Sequence, residues 1–171
     1  LKPATLGAMS TAAFGALTDT LTSSAIGNSS QIQAITADQA KFITPAQAKV
    51  LSGDVIDSLS SEAFNALAPA TLAAITVTAI DNVTPAAFGG LTAAQVAALT
   101  PAQFDVLTEG SSGQLANFTS TQSAAITTAQ IKKLVDAGIS ALTSEAVVGL
   151  QTATLAAITT DTFEQLTADA I

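Results

Sequence analysis

Thr84-Pro85-Ala86-Ala87-Phe88-Gly89-Gly90-Leu91, Thr92-Ala93-Ala94-Gln95-Val96-Ala97-Ala98-Leu99 and Thr100-Pro101-Ala102-Gln103-Phe104-Asp105-Val106-Leu107 are three consecutive octapeptides written in one grammar. A hydroxyl residue opens each unit, Gln or Ala stands fourth, and apolar residues stand fifth and eighth. With Thr100 as N-cap, Pro101 falls at the first helical position, where its missing N–H costs nothing and its fixed φ suits a helix start. Gln103 then falls at N3, so that Thr and Gln form a capping box, each side chain bonding the other residue's backbone N–H. The same pair recurs as Thr36 with Gln39, Thr44 with Gln47, Thr92 with Gln95, Thr119 with Gln122 and Thr127 with Gln130.

The apolar spacing decides between one long helix and many short ones. Positions five and eight are three apart and share a helical face. On an unbroken helix of about 3.6 residues per turn, each further octad would rotate that face by about 80°. A bend at each Thr or Ser restores it, and Pro at the second position enforces the bend. The expected fold is therefore all-α, a solenoid of short capped helices, one per octad. A β-solenoid is the alternative, but there positions five and eight would point to opposite faces, and the Ala and Gln content favours helix.

Traced through the chain, the octads run from Lys2 to Leu17, from Asn28 to Leu107 and from Ser111 to Leu166. The breaks are residues 18–27 and 108–110. Position eight is apolar in all 19 complete octads, and position one is Ser, Thr or Asn in 15 of them. A longer repeat of ten octads plus a break is superposed on the short one. Laying Thr36–Val83 on Thr119–Leu166 makes 21 of 48 positions identical, including Ala70-Thr71-Leu72-Ala73-Ala74-Ile75 on Ala153-Thr154-Leu155-Ala156-Ala157-Ile158. Residues 1–171 thus read as a single array, and both ends falling inside an octad suggest a segment of a longer one. A helix of one octad cannot stand alone. Positions five and eight should face inward, with Ala at position seven (Ala66, Ala74, Ala98, Ala125, Ala157) permitting close approach. Pro45 and Pro69 stand three octads apart, whereas Pro69, Pro85 and Pro101 follow at two-octad steps, which leaves two or three octads per coil open.

Composition narrows the function. The net charge is −8, with five Lys, no Arg and no His, which argues against nucleic acid and against an anionic membrane surface. No apolar run approaches the roughly 18 residues of a membrane span, so no membrane insertion is expected. Cys and Tyr are absent, so general acid–base or nucleophilic catalysis near neutrality lacks its usual groups. No catalytic, cofactor-binding or metal residues, no cofactor and no enzyme activity are expected. Asp38, Asp54, Glu62, Glu145, Asp161 and Asp169 all stand at position three, where a negative charge suits a helix start. No Asp-x-Asp-x-Asp-Gly loop accompanies them, so Ca²⁺ held between coils is the weaker reading. Lys2, Lys41, Lys49, Lys132 and Lys133 read as solvated charges. Asn28, Asn82 and Asn117 open N-glycosylation patterns that octad junctions generate by construction, and the Thr array is explained by capping before ice binding. Only 11% of residues are charged, which leaves such a rod open to self-association, head-to-tail or lateral.

Units such as Leu91-Thr92-Ala93-Ala94-Gln95-Val96-Ala97-Ala98-Leu99 resemble the Thr/Ala-rich octapeptide tracts of very large secreted bacterial surface proteins, adhesin-like or filament-forming. The resemblance spans nearly the whole chain and implies an extracellular or cell-surface structural role, as a stalk or self-assembling filament subunit. It brings no active site. The competing expectation is a binding module whose repeated face takes Ca²⁺, a glycan or ice. Octads opened by Lys2, Ala68, Val135 and Gln151 depart from the pattern, so a side-chain cap is not expected there.

Overall fold

The computed structural model describes residues 5, 8–10, 13, 33–109, 113–134 and 142–158. Among these residues the regular structure is helical throughout, with no strand, and the β-solenoid alternative falls away. Two compact units, Leu1–Val83 and Thr84–Ile171, divide the chain.

In the first unit the helices are α1 (Ala37–Ala40), α2 (Pro45–Ala48), α3 (Gly53–Asp57), α4 (Ser61–Asn65), α5 (Pro69–Ala74) and α6 (Val77–Ile80). In the second they are α7 (Pro85–Gly89), α8 (Ala93–Ala98), α9 (Pro101–Glu109), a 3₁₀ turn (Gln114–Asn117), α10 (Ser120–Ser123), α11 (Thr128–Ile131), α12 (Ser144–Gly149) and α13 (Thr152–Leu155). From α1 to α8 and from α10 to α13 the N-cap is position one of an octad, with extended backbone. All six expected capping boxes form, the Thr100–Gln103 pair through N–H bonds of 2.8 and 3.2 Å. Ser60, Thr76 and Thr143 cap with the hydroxyl alone, Ala standing fourth. Ala68 and Gln151 supply no side-chain cap, as expected, and neither do Ser52 and Thr84. Residues 135–141 of the octad opened by Val135 lie outside the described residues, as does the break at 18–27.

Packing is regular in each unit. In the first, α1 packs on α4, α2 on α5 and α3 on α6, pairs whose N-caps stand three octads apart. In the second, α10 packs on α12 and α11 on α13, again three octads apart, while α8 on α10 and α9 on α11 span three octads and the insertion 108–110. Each of these helices therefore leans on the helix three octads away.

Positions five and eight supply the core, from Ile35 and Ala40 to Ile131 and Leu134, with Phe64, Phe88 and Phe104 among the largest fully buried side chains. Phe104 and Phe118 meet edge to face, centroids 6.3 Å apart. Position seven does not provide the close approach: Ala66, Ala74, Ala98, Ala125 and Ala157 remain partly exposed. From α1 onward position four does among the described residues, with Ala63, Ala79, Ala87 and Ala146 buried and Gln, Thr or, on α3, Val55 buried in its place, whereas Thr5 and Ala13 of the first two octads are exposed. The reason is rotational. On a helix, positions four and eight lie one above the other while position seven sits off to the side.

Candidate functional site

Position four carries the most organised polar chemistry of the chain. In a capping box the Gln Oε1 accepts the N-cap N–H, which leaves the Nε2 hydrogens to be placed. Gln122 Nε2 donates to the carbonyls of Phe88, Gly89 and Leu91 at 3.0, 3.1 and 2.8 Å. Gln130 Nε2 donates to those of Val96 and Leu99 at 2.8 and 2.6 Å, and Gln39 Nε2 to that of Met9 at 3.0 Å. Leu91, Leu99 and Met9 are position eight of their octads, where a helix end leaves its carbonyls unmet, while the Phe88 and Val96 carbonyls also accept the N–H of Leu91 and Leu99. One buried amide thus caps the start of its own helix and the end of another.

The octads opened by Ala68 and Gln151, with a buried Thr at position four, solve the second half differently. Thr71 Oγ1 donates to Ile43 O at 2.8 Å and Thr154 Oγ1 to Ile126 O at 3.0 Å, each 28 residues back. Both belong to octads without a side-chain cap, opened by Ala68 and Gln151, so their position four has only the distant carbonyl to serve. Reading octads one at a time exposes the box and conceals this bond. The detectable signal was the pairing of Thr71 with Thr154 in the long repeat, at octads that lack a hydroxyl cap.

The charged candidates stay apart from this network. Asp38, Asp54, Glu62 and Glu145 stand at position three, away from the buried face, while Asp161 and Asp169 lie outside the described residues. Its own backbone N–H, and then the Ser60 hydroxyl, hold the Glu62 carboxyl below its ordinary range. A hydrogen bond from Lys41, reinforced by its charge, lowers that of Asp38; the Nζ to Oδ1 distance is 2.8 Å. Lys49, Lys132 and Lys133 are exposed, Lys133 standing 3.9 Å from Asp105. Lys2 lies outside the described residues. Among the described residues no three His, Cys, Asp or Glu side chains group as a metal-holding cluster, and no helix is long and apolar enough to cross a membrane.

Of the three glycosylation patterns, Asn82 is exposed with its Nδ2 donating to Thr78 O at 2.8 Å. Asn117 is exposed at the end of the 3₁₀ turn, and Asn28 lies outside the described residues. The hydroxyl of Thr119, which completes the Asn117 pattern, is engaged in the capping box with Gln122. The hydroxyls that cap and the amides of Gln39, Gln122 and Gln130 are thus bonded to backbone. Comparison with protein-family models, with curated proteins and with solved structures finds no match.

Proposed function

We propose that the chain is a structural repeat protein without enzymatic activity, an extracellular stalk or self-assembling filament subunit at a bacterial cell surface. In this reading its helices wind as a solenoid of three octads per coil. The observation that carries it is the recurrence of one contact: each helix on the helix three octads away, with position four donating to a position-eight carbonyl 28 residues back, or 31 across the insertion. A contact that repeats at constant separation adds coils without limit, the property of a spacer. The low share of charged residues, 11%, leaves few repulsions between neighbouring rods, and the resemblance to secreted octapeptide tracts supports a role outside the cell.

Electron microscopy of the purified chain with and without a chelator tests the proposal. Regular filaments or rods indifferent to chelator are expected. Dispersed particles that associate only with Ca²⁺ would overturn it in favour of a repeat-face binding module.

A further inference from the structure

Position four sorts the octads into blocks. Gln stands there in the three octads from Asn28 to Leu51 and in all five from Thr92 to Leu134. Val55, Ala63, Thr71, Ala79 and Ala87 stand there in the five octads from Ser52 to Leu91, and Gly138, Ala146, Thr154 and Thr162 in the four from Val135 to Leu166. The second Gln-free block begins 83 residues after the first, the spacing of the long repeat. The blocks differ in their bonds. Capping boxes form in the octads opened by Thr36, Thr44, Thr92, Thr100, Thr119 and Thr127. From Ser52 to Leu91 there is none, and Ser52, Ala68 and Thr84 make no side-chain cap at all. Gln122 and Gln130 also clamp α10 and α11 to carbonyls of the octads opened by Thr84 and Thr92. Val55, Ala63, Ala79 and Ala87 have no polar side-chain atom to offer, so in their block only Thr71 reaches a distant carbonyl from position four.

We propose that the array is graded in stability at the period of its long repeat, the Gln-free blocks opening first under load or denaturant while the Gln blocks hold. A helix of one octad does not stand alone; it is kept by its burial, its cap and its bonds to other octads. Burial does not separate the blocks. Positions five and eight are buried in both, and the Gln block even carries the hydroxyl of Ser123 at a buried position five. Caps and clamps therefore decide, and local opening starts where they are fewest. The division into compact units at Val83 and Thr84 falls inside the first Gln-free block. The use of such a block as the yielding part of a stalk rests on the structural role proposed above, whereas the grading does not. Residues 52–91 would reach about 130 Å when drawn out, at roughly 3.3 Å per residue, and so lengthen the chain before any Gln block opens.

Native-state hydrogen exchange of the whole chain, read by mass spectrometry, tests the grading. Peptides from α3 to α6 should exchange on the order of tenfold faster than those from α8 to α11, the ratio that one or two missing hydrogen bonds give. Ala79→Gln adds the missing half of a box to the Thr76 hydroxyl and stands 28 residues after Leu51, so it should slow exchange in α3 and α6. Gln122→Ala combined with Gln130→Ala should speed exchange in α8 to α11 and leave α3 to α6 unchanged. Circular dichroism checks that the variants keep their helix. Even protection of the two sets of helices in the wild type overturns the grading whatever the variants do, and leaves the stalk standing. Graded protection in a chain that microscopy shows as dispersed, Ca²⁺-dependent particles upholds the grading and overturns the stalk.

Discussion

A glutamine at position four has two obligations, and a variant that removes both should cost more than one that removes either. Thr119→Ala removes only the hydroxyl half of the box with Gln122 and should destabilise by about 1 kcal/mol, the usual N-cap value. Gln122→Ala also takes its donor from three carbonyls, of which that of Phe88 keeps the Leu91 N–H, and the cost should rise to about 2 to 4 kcal/mol because the other acceptors lose a partner. Denaturant melts of the two variants check the order, and equal losses would deny the second role. Glu62 adds a pH signature. Its carboxyl is held below its ordinary range, so its contribution to stability is present above the unfolded-state value and disappears as pH falls through the folded-state value. The stability difference between wild type and Glu62→Gln should therefore shrink on acidification below the ordinary carboxylate range; a difference constant with pH would show that the charge is immaterial.

The helix as an element was legible because its signals are local: Thr and Gln three positions apart, Pro at the second position, apolar residues at five and eight. What stacks on what was not. The partner of Thr71 is Ile43, 28 residues away, and no spacing inside an octad encodes it. Ala at position seven misled because it is frequent, whereas the geometry that brings helices together runs through position four. Helix contacts also make demands at single sites. A Cβ on Gly149 of α12 would come within 2.6 Å of Ser120 Cα and 2.7 Å of its carbonyl carbon on α10, backbone that cannot step aside. Gly149→Ala should cost about 1 to 3 kcal/mol through overpacking. Phe104→Ala should cost about 3 to 5 kcal/mol as a core truncation. Asp105→Ala, whose ion pair with Lys133 is half exposed at 3.9 Å, should stay within about 0.5 kcal/mol. Thermal melts of the three variants rank them, and a Gly149 variant as stable as wild type would mean that α10 and α12 lie farther apart.

At the scale of the molecule the long repeat and the two compact units correspond, since the first unit, Leu1–Val83, has the length of that repeat. Each unit repeats the same helix-on-helix contact at three-octad separation, and the number three can be put to a direct test. Removing residues 44–67 takes out three octads and puts the octad opened by Ala68 in the place of the one opened by Thr44. Removing residues 60–67 takes out one octad and brings Thr71 to within 20 residues of Ile43 in the chain, out of the 28-residue register of their bond. If three octads make a coil, the longer deletion should be the milder one: helical circular dichroism per residue unchanged and a single cooperative melt. The shorter deletion should broaden the melt and lower its midpoint by several degrees, as the loss of a few kcal/mol does in a chain of this size. The opposite order would remove the three-octad coil, because a structure indifferent to register suffers in proportion to the residues it loses.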